Sequence, residues 1–237
     1  MRGCLTVLVG GLAFLAVLGW YALPVLAASL VTVTLATAGV SGTGTSVDVV
    51  ASPPYELLAM HADEVDIVSS SVSWRGITAA SMSVRLDGVD LGARTAASVT
   101  GRLASVSVPT GDGPLPVDSI ALDGPSGSIR AVLALDAATV ARLARAAAAQ
   151  AIGREPTAVE LGPPDHVIVT VGSQRSEGQL VVQPDGTIAI SLPPFGSAVL
   201  ADPAAGLPFR LEGVVVAPGG GVTLSGTIDP AALGLSR

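Results

Sequence analysis

"LPFRLEGVVVAPGGGVTLSG" (residues 207–226) alternates apolar and polar residues on both sides of a glycine run. Phe209, Leu211, Gly213, Val215 and Ala217 fall on one face, and Arg210 and Glu212 fall on the other. After the turn, Val222, Leu224 and Gly226 oppose Thr223, Ser225 and Thr227. This period-two pattern predicts a hairpin with one apolar and one solvated side. The apolar side has to lie against an ordinary core or against something the protein carries.

The same alternation recurs upstream. Ala80, Met82, Val84 and Leu86 oppose Ser81, Ser83, Arg85 and Asp87. Ile129, Ala131, Leu133 and Leu135 make a second such face, Val167, Val169 and Val171 a third, and Ile188, Ile190 and Leu192 a fourth. Turn signals separate the runs: "LDG" at 86–88 and 122–124, "PDG" at 184–186 and "PGGG" at 218–221. One segment differs. "LDAATVARLARAAAAQAIG" (135–153) predicts a helix, with Asp136 as N-cap, Gly153 beyond its C-terminus and an apolar stripe of Val140, Leu143, Ala144, Ala147 and Ala151. A short helical turn is expected around "PPYELLAMH" (53–61). About ten one-sided strands and one main helix give an α+β class, predominantly antiparallel. A helix of roughly fifteen residues is only about 22 Å long and cannot cover so wide a sheet. The sheet is therefore expected to curl around the helix, close on itself or leave apolar surface to a guest.

Composition narrows the function classes. Hydrophobic residues make up 49% of the 237 and charged residues 13%, so the bulk of the chain is expected to fold. Aromatics are only 3%, which leaves a core of small side chains. The formal charge is −7, and all twelve basic residues are arginine. An acidic chain with scattered arginines argues against nucleic-acid binding, which needs a basic patch. Cys4 is the single cysteine, so no intrachain disulfide and no multi-cysteine metal site can form.

No charged residue occurs between Arg2 and Asp48. Within that gap, "CLTVLVGGLAFLAVLGWYAL" (4–23) has the length and apolarity of a membrane-crossing helix, with Trp20 and Tyr21 at its end and Pro24 expected to close it. Ala27 and Ala28 in "PVLAAS" (24–29) offer a signal-peptidase site. Residues 1–28 thus read as signal peptide or membrane anchor, 29–46 as linker and 47–237 as an exported β-rich domain, secreted or tethered in the cell envelope.

Catalytic and metal chemistry find no foothold. His61 and His166 lie in or beside predicted strands, and alternation spreads the acids of "HADEVD" (61–66) over both faces, so no ligand set converges. "GPSGS" (124–128) is no nucleophile elbow, "PGGG" enters a strand where phosphate loops enter a helix, and Asp87 and Asp90 flank a predicted turn. No catalytic residue, metal site or cofactor is assigned. An envelope glycan-processing enzyme is disfavoured by the lack of a convergent acid pair. Tyr55, Trp74, Phe195 and Phe209 are the aromatics of the body, placed either as core anchors or at the mouth of an apolar pocket.

"TSVDVVASPPYELLAMHADEVDIVSSSVSWRGITAASMSVRLDGVDL" (45–91) is similar to the opening of the LmeA-type phospholipid-binding proteins of actinobacterial envelopes. "PDGTIAISLPPFGSAVLADPAAGLPFRLEGVVVAPGGGVTLSGT" (184–227) resembles that family's end, with Leu207, Pro208 and Phe209 matching its "lPf" step. Tyr55 stands where the family often carries Phe, and the charged helical stretch that commonly follows the export segment is missing here. The resemblance implies a tubular lipid-binding-like sheet on a helix, phospholipid and membrane as partners, and a role in lipid transport, lipid presentation or lipoglycan maturation. On that reading the lipid-contacting candidates are Tyr55, Leu58, Trp74, Leu143, Phe195 and Phe209, with Arg75 or Arg210 pairing with a phosphate. The competing expectation is a membrane-tethered interaction domain with a fully packed core and no ligand.

Overall fold

A computed structural model describes residues 22–110, 113–125, 127–193, 195–201 and 209–228. The chain is mostly antiparallel sheet, arranged as two open sheets with few helices. Helix α1 covers the described residues 22–37, and a short 3-10 turn covers Pro54–Ala59. Strands β1 (Ser41–Val50), β2 (His61–Trp74), β3 (Ile77–Asp90), β4 (Ser98–Thr110), β5 (Gly113–Pro125) and β6 (Ile129–Leu135) precede helix α2 (Ala137–Ile152). Strands β7 (Ala158–Gly162), β8 (His166–Val171), β9 (Gln174–Val182), β10 (Ile188–Leu192), β11 (Gly196–Ala201), β12 (Phe209–Val216) and β13 (Val222–Ile228) follow. The large sheet has the order β1-β2-β3-β4-β5-β6-β13-β12 and the small one β11-β10-β9-β8-β7.

Helix α2 forms where the sequence predicts it. The Asp136 side chain accepts the Thr139 N–H at 2.8 Å, and Gly153 ends the helix at φ 72°. Its buried side, including Val140, Ala144, Ala147 and Ala148, packs with both sheets. Small alanines let the strands come close, and only about 10 Å³ of space remains among Val140, Leu143, Leu135, Leu180, Ile188 and Leu224. This end of the molecule is a packed core.

The linker expected over 29–46 is not there. Helix α1 runs past Pro24 to residue 37, and β1 starts at Ser41. Leu23, Ala27, Ala28, Val31 and Leu35 of α1 pack on a second core built from Val49, Leu57, Ala62, Val65, Ile67 and Val89. The hydroxyls of Ser29, Thr32 and Thr34 donate to the carbonyls of Val25, Ala28 and Leu30, so this helix satisfies its own polar groups. The small residues of 41–46 have a packing reason as well. A Cβ at Gly42 would sit 2.4 Å from Ser69 Oγ, and Ser69 is buried, sharing a hydrogen bond with Thr45 Oγ1 at 2.8 Å. The predicted apolar helix over 4–23 falls almost wholly on residues 1–21, outside the described ones. Among the described residues no helix is long and apolar enough to cross a membrane.

Both "LDG" segments lie inside strands β3 and β5 rather than in turns, and the turn that Asp87 and Asp90 flank is the β3–β4 connection at 91–94. The β2–β3 connection is Arg75–Gly76, both at positive φ (49° and 85°), the signature of a two-residue hairpin turn. Strands of thirteen or fourteen residues keep one face inward only by breaking their alternation. In β3 the inward set is Ile77 and Ala79, then Met82, Val84 and Leu86, and Ala80 points out to solvent. The break falls on one row: Ser71, Ala80, Ser105 and Asp118 stand side by side across β2–β5, between the pairs Val72↔Ala79↔Val106↔Val117 and Ser70↔Ser81↔Ala104↔Ser119. Ser71 and Ser105 take left-handed φ values of 58° and 49° to achieve it. A similar slip occurs in β12, where the register shifts between Leu211 and Gly213. Leu211 and Val216 are buried, but Val215 is 53% exposed, so the face expected for Val215 and Ala217 is reversed.

Two outcomes follow from these features. Ser105→Val should cost about 1–2 kcal/mol in denaturant unfolding, while Ser105→Gly stays within about 1 kcal/mol of the wild type. The Thr139 hydroxyl and then its backbone N–H hold the Asp136 carboxyl below its usual range. A lowered folded pKa gives stability that is present above the unfolded value and lost as pH falls through the folded one. Acid melting curves of Asp136→Asn should therefore be flatter than those of the wild type below the ordinary carboxylate range.

Candidate functional site

The large sheet is covered unevenly. Helix α2 and the small sheet lie against the Leu115, Leu135, Val222 and Leu224 end, and α1 lies against the Val65, Ile67 and Val89 region. Between them a cavity of about 300 Å³ opens over β2–β6 and β13. Nineteen residues line it, and every one is apolar or aromatic. Met82, Val84, Leu86, Leu103 and Leu122 face it from central strands and stay only partly buried among the described residues. The cavity follows β3 from Ile77 to Leu86, about 30 Å at strand rise.

A second cavity of about 510 Å³ adjoins the first beneath the C-terminal half of α1. The two share Leu35, Ala38, Ile67 and Leu86 in their walls. Unlike the first, the second has a polar rim: Thr34, Thr37, Asp90, Arg94 and Thr95. Their volumes fall in the range of small-molecule sites, and the wall grades from wholly apolar to charged. Such a graded wall is matched to an amphipathic molecule.

The sequence-predicted residues divide sharply. Trp74 lines the apolar cavity, and the guanidinium of Arg75 lies 5.0 Å from its ring centroid. The other candidates are elsewhere. Tyr55 and Leu58 are 67% and 71% exposed on the 3-10 turn. Leu143 belongs to the packed α2 core. Phe195 borders a separate hollow of about 410 Å³ with Ile152, Val171 and Arg175. Arg210 is exposed on β12, the outer strand of the sheet. Phe209 heads β12 opposite Ile228, and its side chain lies outside the described residues. Alternation does capture Met82, Val84 and Leu86, but nothing in the pattern separates a cavity wall from a core wall. Leu35 and Ala38 escape sequence reading because 29–46 reads as linker, and Arg94 because no pattern around it singles it out.

Arg85 pairs with Glu64 and reaches Asp87 at 3.5 Å on the outer face, and the Glu64 contact raises its pKa. His61 and His166 are exposed, and among the described residues no three His, Cys, Asp or Glu side chains gather as a metal site. Asp63 accepts the Ser52 N–H at 2.6 Å and serves the backbone. Comparison with protein-family models, with curated proteins and with solved structures finds no match to this chain.

Enlarging a residue separates an empty wall from a filled one. Leu103→Trp should cost less than about 1 kcal/mol, whereas Leu224→Trp in the α2 core should cost about 1–3 kcal/mol, as read by chemical denaturation.

Proposed function

We propose that this protein is a non-enzymatic lipid carrier of the cell envelope, holding the acyl chains of a phospholipid in the apolar cavity. The observation that supports this most is the all-apolar lining of a cavity about 30 Å long. One leaflet of hydrocarbon is about 15 Å deep, so an extended acyl chain fits within it. Each buried methylene contributes about 0.8 kcal/mol, and ten of them contribute on the order of 8 kcal/mol before the costs of association. The resemblance to LmeA-type proteins over 45–91 and 184–227 points the same way, toward lipid transport, lipid presentation or lipoglycan maturation. On this reading the large sheet bends about its guest in the manner of tubular lipid-binding domains. A fully packed interaction domain is disfavoured by the two adjoining cavities.

We read the N-terminal segment as a retained anchor rather than a cleaved signal. A cut after Ala27 or Ala28 would fall inside α1 and remove Leu23, which packs on the second core. The outer side of α1 supports a membrane-proximal position, since Val25, Leu26 and Val33 are exposed there with no charged neighbour in the helix.

The test is mass spectrometry of the full chain, expressed with export and purified in mild detergent. Stoichiometric phospholipid is expected on the wild type, falling several-fold in Leu103→Trp, together with an intact mass that includes residues 1–28. A folded wild type that carries no lipid and rejects added phospholipid would overturn the carrier reading. A mass beginning at Ala28 or Ser29 would overturn the anchor.

A further inference from the structure

We infer that Arg94 and Asp90 form the headgroup site of the bound lipid and select a headgroup that carries both a phosphate and an ammonium. The inference rests on the carrier reading and adds an orientation and a chemical class to it. The polar rim lies at one end of the joined cavities, so a lipid with its chains in the apolar part puts its headgroup beside the 90–95 loop.

Arg94 is the arginine placed for this task. It lines the second cavity and, among the described residues, makes no ion pair. Arg85 is engaged by Glu64 on the outer face, Arg75 is stacked on Trp74, and Arg210, on the outer strand β12, lines neither cavity. The loop that presents Arg94 is held firmly. Asp90 and Thr95 exchange backbone hydrogen bonds at 2.8 and 3.1 Å, and the Leu91 N–H donates to Met60 O at 2.8 Å. The loop fixes the Arg94 backbone, and its planar guanidinium, on an exposed residue at the cavity rim, suits bidentate contact with phosphate oxygens.

The rest of the rim is electronegative. Asp90 Oδ1 accepts the Ala93 N–H at 2.7 Å, and its carboxylate borders the same cavity. Thr34 and Thr37 already donate their hydroxyl protons to carbonyls of α1. The cavity also meets the C-terminal end of α1, where helix carbonyls favour a cation. One guanidinium set among acceptors disfavours a purely anionic headgroup. It fits a phosphate on Arg94 with an ammonium turned toward Asp90 and the end of the helix, as in phosphatidylethanolamine.

The experiment offers the full-length protein dioleoyl phosphatidylethanolamine or dioleoyl phosphatidylglycerol in mixed micelles and counts bound lipid by native mass spectrometry. The wild type should prefer the ethanolamine lipid. Arg94→Gln should weaken binding of both lipids roughly tenfold or more, with Arg94→Lys between the two. Asp90→Asn, whose amide oxygen can still accept the Ala93 N–H, should remove the preference while keeping the load. Equal loading of wild type and Arg94→Gln, or a wild-type preference for phosphatidylglycerol, would overturn the headgroup assignment and leave the carrier reading standing. A wild type that takes up neither lipid would overturn both.

Discussion

An eight-stranded sheet with one apolar face demands more cover than its two described helices give, and the rest of the described structure follows from that shortage. Helix α2 is short, alanine-rich and committed to the joint between the two sheets, where it leaves almost no free volume. Helix α1 reaches the opposite corner and roofs a smaller core of valine and alanine. What lies between is sheet surface that faces inward and that no other described element covers. Larger aromatic side chains could have filled it, and with aromatics at 3% the sequence does not supply them.

Sequence patterning carries much of this architecture. The antiparallel hairpins, the limits and caps of α2 and the helical turn near residue 55 are all readable from spacing and capping residues. The failures have physical causes. Alternation assumes a regular pleat, and the pleat is broken at the row through Ser71 and Ser105 and again at the β12 bulge. Strict alternation accordingly puts Ala80 and Val215 on the wrong faces. The segment 29–46 reads as linker because it lacks charge and bulk, yet its smallness is what lets β1 pass close over Ser69. Arg75–Gly76 escapes notice because arginine is an unusual occupant of a left-handed turn position.

The site was less visible than the fold. Trp74 and Arg75 stand out by residue type and do meet at one end of the cavity. Tyr55, Leu58, Phe195 and Leu143 stand out for the same reason but sit on unrelated surfaces or in the packed core. Ordinary aliphatic residues such as Leu103 and Leu122 become significant only because of what fails to cover them, a property of three-dimensional arrangement that no local pattern encodes. Arg94 owes its position to a loop whose hydrogen bonds tie the end of β3 to the residues before β4 and to Met60, which caps the 3-10 turn.

The row through Ser71, Ala80, Ser105 and Asp118 also constrains how such a chain can diverge. A single-residue deletion near it would turn the rest of that strand inside out and expose a run of aliphatic side chains. Matched additions at the tips of the β2–β3 and β4–β5 hairpins leave the row untouched and simply lengthen the paired strands. Descendants of this architecture are thus free to vary in strand length but not in local phase. The dimension that such variation alters is the reach of the apolar floor, while its width stays tied to the number of strands.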